Sequence, residues 1–144
     1  MITPVEIKKS QIILKDGTNV LSIGFVGELD ESNIDDVAKE VYAILDSSFE
    51  GAFIILDLNE LGYMNSKSIG YISDWYTKLI ERASKLAIIG AKGNILDVLE
   101  TVGLDGIIPM YPDVDALVAS KIFAEKGAKK EEKVEAKSET KKKE

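Results

Sequence analysis

The sequence has neither cysteine nor histidine among its 144 residues. Without cysteine there are no disulfides, no thiolate metal sites and no cysteine nucleophile. Without histidine the usual general base, the usual phosphorelay acceptor and the usual metal ligand are also missing. Catalysis would have to rest on Asp, Glu, Ser, Lys or Tyr. We therefore expect a protein that is not an enzyme and that uses no metal and no cofactor.

Long apolar runs are also missing. No stretch approaches the roughly 20 residues that a membrane helix needs, and the N-terminal MITPVEIKKSQ has no signal-peptide core. The overall balance, with 45 % hydrophobic and 30 % charged residues, is that of an ordinary soluble domain. We therefore expect a cytoplasmic protein with no direct membrane insertion.

A concentrated basic face is the third missing feature. The net charge is −7, and the last 19 residues hold eight Lys and five Glu, so residues 1–125 carry −10, with ten basic and twenty acidic residues. Nucleic-acid binding requires a basic surface, so no nucleic-acid partner is expected. The charge suits a basic protein partner, although many acidic domains have none.

The hydrophobic pattern predicts five strands and four helices in the order β-β-α-β-α-β-α-β-α. Alternating strands and helices after an opening hairpin indicate a mixed α/β fold with a mostly parallel sheet. The predicted strands are 6–14, 20–26, 52–58, 86–89 and 107–110. The predicted helices run from a cap at Asp30 or Ser32 to about Ser47, over 67–83, over 95–102 and over 113–123.

Details of this pattern predict what is buried and where the domain ends. Gly27 is expected to break the second strand, and Leu61, Tyr63 and Met64 are expected to tuck inward from a loop. Trp75 is expected in the core. The domain is predicted to span residues 1–125. Residues 126–144, rich in Lys and Glu, have too little apolar surface to fold and are predicted to be a disordered tail.

Two patterns invite a catalytic interpretation, and neither supports it well. Asp57 ends a strand, where acidic functional groups often lie in open α/β sheets, but no second carboxylate accompanies it. The stretch 90–93, Gly-Ala-Lys-Gly, resembles a fragment of a phosphate-binding loop without the Gly-Lys-Ser/Thr that completes it. Packing and helix capping explain these glycines better.

Ser66 is the most informative residue. It follows an apolar strand and a polar corner, and it stands where the helix over 67–83 begins. Helix starts have unpaired backbone N–H groups, so a Ser there can simply be a cap. The same amides and the helix dipole would also favour a phosphate. A regulated surface hydroxyl is therefore the sharper hypothesis.

The stretch LDLNELGYMNSKSIGYI, residues 56–72, resembles the signature of the STAS domain, which occurs in sulfate transporters and anti-sigma factor antagonists. The family pattern is an apolar strand, a short loop, Asp-Ser-[Ser/Thr]-Gly and Leu-Gly. It corresponds here to Asn65, Ser66, Lys67, Ser68 and then Ile69-Gly70. GELD at 27–30 and LETVGL at 99–104 resemble two further family motifs. The likeness covers about residues 5–124.

The resemblance implies a STAS-like mixed sheet of about four to five strands flanked by about four helices, and a binding function. In the antagonist branch, the unphosphorylated domain binds an anti-sigma factor that is also a serine kinase. Phosphorylation of the serine ends the binding and a serine phosphatase restores it. Carried over, Ser66 is the phosphorylation site. The implied partner-binding residues are Gly27, Glu28, Leu29, Asp30, Asn65, Ser66, Lys67 and Ser68.

Three departures from the family pattern bear on this switch. Asn65 replaces the acidic residue, Ser68 replaces a glycine, and Lys67 introduces a cation beside the hydroxyl that a phosphate could pair with. The departures at Asn65 and Ser68 motivate an alternative, a STAS subunit that is not phosphorylated and serves in a lipid-transport or signalling assembly. The sequence indicates no oligomeric state.

Overall fold

The computed structural model describes residues 1–123, which form one mixed β-sheet flanked by helices. The strands are β1 (Val5–Ile13), β2 (Asn19–Leu29), β3 (Phe53–Asp57), β4 (Leu61–Met64), β5 (Lys85–Ile89) and β6 (Met110–Tyr111). The helices are α1 (Ile34–Ser47), α2 (Ser66–Glu81), α3 (Gly93–Thr101) and α4 (Val114–Ser120), and a 3-10 turn spans Leu104–Gly106. The predicted tail, 126–144, lies outside the described residues, and the domain limits stay a prediction.

The sheet has the order β1-β2-β3-β5-β6, and only the β1–β2 pair is antiparallel. Strand β2 is long enough to pair with two strands in succession. Its first half pairs with β3, and its last residues, Gly27–Leu29, pair in parallel with β4. The mixed α/β fold is therefore confirmed. The short β4 places the chain that enters α2 beside the end of β2.

Both faces of the sheet are covered, as the apolar run in β3 predicts. Ile54 and Leu56 point into the larger core, which the apolar faces of α1, α2 and α3 complete. Ile55, between them, points into a smaller core that contains Leu117 of α4 and Phe123. This alternation follows from the period of two along a strand.

Trp75 lies at the centre of the larger core, and its expected burial is confirmed because the side chain is 1 % exposed. It stacks on Phe25 and Tyr71 with ring centroids 6.3 Å away in both cases. Tyr42 of α1 packs edge-on against Trp75 and Tyr71. The aromatic cluster joins α1, α2 and β2, the elements that carry the candidate site.

Several boundary predictions were wrong. Strand β2 does not break at Gly27 but continues to Leu29, and its register against β4 shifts between Gly27 and Glu28 at a bulge whose extra residue is Gly62 of β4. Residues 61–64 form a strand; Leu61 and Met64 are buried as expected, whereas Tyr63 is 43 % exposed because it faces away from the core. The last strand is Met110–Tyr111 and not 107–110. The 3-10 turn ends at Gly106, and Ile107, which follows it, is exposed.

Within residues 1–123, none of the helices combines the length and the apolar character that a membrane crossing requires.

Candidate functional site

The end of β2, strand β4 and the start of α2 meet at one place, which we call the Ser66 corner (residues 27–33 and 61–68). Because β2 and β4 are parallel, the segments that follow these two strands leave the sheet at the same edge. The backbone N–H of Asn65 donates to the carbonyl of Leu29 at 3.2 Å. The sequence motifs at 27–30 and 65–70, more than thirty residues apart, are thus held together by the fold.

Asn65 caps α2. Its Oδ1 accepts hydrogen bonds from the backbone N–H of Ser68 at 3.0 Å and from the Ser68 hydroxyl at 2.6 Å. The Ser68 side chain is fully buried, so it supports the cap from inside and offers no surface to a partner. Two of the departures from the family pattern, Asn65 and Ser68, are therefore hydrogen-bonded to each other.

Ser66 is the first residue of α2, with its side chain exposed. Since Asn65 supplies the cap, the Ser66 hydroxyl is not needed for it, and no residue within 1–123 hydrogen-bonds to that hydroxyl. The first turn of α2 also contains no acidic residue. A negative group at Ser66 would therefore meet the positive end of the helix dipole without competition from a neighbouring side chain of that turn.

Lys67 is paired with another helix. Its Nζ lies 2.9 Å from Oδ1 and 3.1 Å from Oδ2 of Asp35 at the start of α1. The Tyr71 hydroxyl donates to the same Asp35 Oδ1 at 2.7 Å. These two hydrogen bonds, that of Tyr71 first, hold the pKa of Asp35 below its usual value, and the pKa of Lys67 is raised by the same contact. Lys67 thus ties α2 to α1 when Ser66 is unmodified.

Gly27 shapes the other side of the corner. Its φ of +121° lies where side chains are strained, and a Cβ there would come within 2.7 Å of the Pro4 carbonyl oxygen. The Gly27 N–H donates to the carbonyl of Glu60 at 3.2 Å. Beyond the bulge, Glu28 is exposed, whereas Leu29 is 1 % exposed and belongs to the core. Of this motif only Glu28 and the half-buried Asp30 offer side chains to a partner.

Asn33 holds this segment in place, a role that no local sequence pattern indicates. It is 3 % exposed, and its Nδ2 donates to the carbonyls of Thr3 at 2.9 Å and Glu28 at 2.8 Å. Its Oδ1 accepts from the Asp30 N–H at 3.0 Å. One buried amide therefore joins the N-terminal segment, the end of β2 and the start of α1.

Asp30 completes the network. The expected cap of α1 by Asp30 or Ser32 is wrong, because the N-cap position is Asn33 and no side chain of the described residues hydrogen-bonds there as a cap. The Asp30 carboxylate accepts from the Thr3 hydroxyl and from the Ser32 hydroxyl and N–H, the last two at 2.7 and 2.9 Å. These bonds, that from Thr3 first, hold the pKa of Asp30 below its usual value. Asp30 therefore stays ionised at neutral pH, in a turn that precedes the helix.

The two weaker catalytic candidates have structural contacts. Asp57 Oδ1 accepts from the Asn59 N–H at 3.0 Å, forming a turn after β3. Lys92 Nζ donates to Asn59 Oδ1 at 2.8 Å, and a Cβ on Gly90 would lie 2.8 Å from the Asn59 backbone nitrogen. The glycine at 90 is thus required by close packing, as the sequence analysis favoured.

Comparison with known proteins decides the family. The model of the STAS domain matches residues 11–117. The chain belongs to the STAS domain family. Within it, the anti-sigma-B factor antagonist of Listeria monocytogenes is 31 % identical over 93 residues, covering 63 % of this chain and 78 % of the relative. The resemblance to the STAS domain family is thereby confirmed.

Solved STAS structures share the fold. An anti-sigma factor antagonist from Mycobacterium paratuberculosis superposes with a TM-score of 0.63 at 22 % identity, covering 79 % of this chain and 93 % of that one. The antagonist SpoIIAA superposes in its unphosphorylated form with a TM-score of 0.62 at 14 % identity, covering 81 % and 96 %. Its phosphorylated form, from Bacillus, gives 0.56 at 16 % identity, covering 80 % and 99 %.

The capping role of Asn65 gives a first prediction. Replacing Asn65 with alanine is expected to lower the free energy of unfolding by about 1 kcal/mol, because the Ser68 N–H loses its acceptor at the helix start. Asn65→Asp is the matched control, since a carboxylate keeps both hydrogen bonds and suits the helix dipole. Urea unfolding followed by the fluorescence of buried Trp75 measures both variants. Equal stability of Asn65→Ala and wild type would contradict the capping role.

Proposed function

We propose that this chain is an anti-sigma factor antagonist-like regulatory protein switched at Ser66. It binds an anti-sigma factor that is also a serine kinase through the Ser66 corner. Phosphorylation of Ser66 ends the binding, and a serine phosphatase reverses it. The observation that carries the proposal is the Ser66 hydroxyl, which is exposed at the first position of α2 and relieved of capping by Asn65.

The relatives support this assignment. The Listeria protein is named an anti-sigma-B factor antagonist, and the structural neighbour SpoIIAA has been determined in both phosphorylated and unphosphorylated forms. We place the protein in the cytoplasm, where such partners would meet it. A binding role, rather than a catalytic one, also agrees with the local contacts of Asp57 and Lys92.

The physical basis of the switch is charge at a rigid surface. A phosphate adds about −1.5 to −2 charges at neutral pH. At Ser66 it would face the amides of the first turn of α2, which accommodate an anion without unfolding the helix. A partner docked over the corner would instead meet a new dianion in a desolvated contact. Binding is lost because burying that dianion in the contact costs more in desolvation than the neighbouring amides return.

Some of the predicted partner-binding residues can contact the partner directly, and the others hold the surface in shape. Glu28, Asp30, Ser66 and Lys67 present side chains at the surface, and we assign them to partner contact. The other four shape that surface. Gly27 permits the bulge, Leu29 anchors it in the core, and Asn65 with Ser68 fixes the start of α2.

Ser66→Asp is expected to weaken binding to the cognate anti-sigma factor by about tenfold or more, equivalent to ~1.4 kcal/mol. Ser66→Ala is expected to bind like wild type and to accept no phosphate from the kinase. Isothermal titration calorimetry measures the first effect. Incubation with the kinase and ATP, read by intact-mass spectrometry, measures the second.

Ser10→Asp is the matched charge control. Ser10 is exposed on edge strand β1 opposite Ser22. It lies five residues from the Gly27 register position, about 17 Å along the sheet. The Ser10→Asp variant should bind the anti-sigma factor as tightly as wild type does. If Ser66→Asp binds each candidate kinase as well as Ser10→Asp does, the proposed switch is wrong and the unphosphorylated-subunit alternative gains support.

A further inference from the structure

Lys67 faces two possible anions, one present and one that phosphorylation would create. In the unmodified chain its ammonium pairs with Asp35, and both side chains are about half exposed, at 46 % and 53 %. Exposed pairs of this kind contribute little to stability, because water screens them. The contact orients Lys67 without holding it tightly.

Asp35 does not depend on Lys67 for its position. The Tyr71 hydroxyl donates to it at 2.7 Å, and Asp35 lies in the first turn of α1, where the helix dipole favours a carboxylate. The loss of Lys67 would therefore leave Asp35 ionised and hydrogen-bonded. The cost of separating the pair is small.

A phosphate on Ser66 is a stronger competitor for the ammonium. Ser66 and Lys67 are consecutive, with Cα atoms about 3.8 Å apart. Because consecutive helical side chains do not face each other, the ammonium reaches the phosphate only by turning the flexible lysine stem toward the N-terminal end of α2. Above the second phosphate pKa of about 6, that group carries two charges against one on Asp35. No acidic side chain in the first turn of α2 competes for the same space.

We infer that Lys67 is a charge-exchange residue, which leaves Asp35 for the phosphate when Ser66 is phosphorylated. This inference rests on the proposed function for its biological use. Phosphorylation then does two things at once. It adds a dianion at the corner, and it breaks the ion pair that ties the start of α2 to the start of α1, uncovering the Asp35 carboxylate. The partner meets a surface changed on two helices.

The test installs phosphoserine at position 66 during ribosomal synthesis, so no kinase is needed. Phosphorus-31 NMR then follows the second ionisation of the phosphate with pH. In the otherwise wild-type chain its pKa is expected to lie about 0.3–0.7 units below that in Lys67→Gln, because the nearby ammonium favours the dianion. Lys39→Gln removes a charge of the same sign from α1 without removing the ion pair, and it should leave the phosphate pKa near the wild-type value.

The reciprocal measurement is the carboxyl carbon-13 titration of Asp35. Phosphorylation is expected to raise the pKa of Asp35, and to raise it more in wild type than in Lys67→Gln, where there is no ammonium to lose. Besides Asp35, the groups that act on the Lys67 ammonium are Glu31 and Tyr71, and Lys39 also acts on Asp35. The substitutions leave Glu31 and Tyr71 unchanged.

Equal phosphate pKa values in wild type and Lys67→Gln would overturn the exchange, since Lys67 would then have stayed with Asp35. Because the phosphoserine is encoded, this result is independent of whether Ser66 is modified in cells. If the encoded phosphoserine shows the exchange but no partner kinase phosphorylates Ser66, the proposed function is wrong. The exchange of Lys67 between Asp35 and a phosphate is then still correct.

Discussion

Replacing Asn33 with leucine is expected to destabilise the protein by about 3 kcal/mol. Leucine keeps the branching of asparagine but puts two bulkier methyl groups in place of the amide oxygen and nitrogen, so the change removes the hydrogen bonds and adds some overpacking. The Asp30 N–H and the carbonyls of Thr3 and Glu28 all lose their partner in a site that is 3 % exposed. Each buried polar group left unsatisfied costs about 1–3 kcal/mol, partly offset where water enters. Urea unfolding monitored by Trp75 fluorescence measures the loss.

Asn33→Asp separates the hydrogen bonds from the packing. Its carboxylate would face two carbonyl oxygens, so burial and repulsion raise its pKa in the folded state above the unfolded value of about 3.9. A folded acid with a raised pKa binds more protons than the unfolded chain. The stability deficit relative to wild type therefore grows as the pH rises above about 4.

Asn94→Leu is the matched control, because Asn94 is an exposed residue near the start of α3. Its effect is expected to stay within about 0.5 kcal/mol. If Asn33→Leu were as mild as Asn94→Leu, the network that joins Thr3 to the end of β2 would have no energetic role. The corner would then owe its shape to Gly27 and the core alone.

The main elements were predictable because their signals are local. The unbroken apolar run of β3 indicates a strand covered on both faces, and the structure has it. The alternation of Ser22 and Gly24 with apolar residues predicts a half-buried strand β2. That prediction is wrong, because Ser22 is buried and because Val20 and Ile23 point into the two different cores. Strand β4 was missed because four residues with a glycine carry almost no periodic signal. Its pairing depends on the far end of β2, more than thirty residues earlier.

The site was predictable as a set of positions but not as a set of roles. The motif places Asn65 through Ser68 together, yet only the fold shows that Ser68 is buried and that Lys67 points to α1. Asn33 carried no signal, since an asparagine before a helix usually caps it. Its true partners include the carbonyl of Thr3, 30 residues away, and no local pattern encodes that contact.

Gly27→Ala is expected to destabilise the protein by about 2–4 kcal/mol and to weaken binding at the Ser66 corner beyond what the lost stability explains. At φ +121° a side chain is strained, by about 1–3 kcal/mol. The new Cβ would also lie 2.7 Å from the Pro4 carbonyl oxygen, a backbone atom that cannot turn aside. The chain must shift at the bulge, where Gly27 pairs with β4 and leads into Glu28. Urea unfolding and calorimetric titration with the proposed anti-sigma factor partner measure the two effects.

Gly70→Ala is the matched control for Gly27→Ala. Gly70 is also part of the STAS resemblance, but it lies in α2, and an added Cβ would meet nothing within 4 Å. Since alanine is favoured over glycine by about 1 kcal/mol inside a helix, this substitution should stabilise the fold. Opposite signs at Gly27 and Gly70 would show that the first glycine serves the geometry of the corner. Similar small effects at both would mean that the bulge adapts freely and does not fix how Glu28 and Ser66 are presented to a partner.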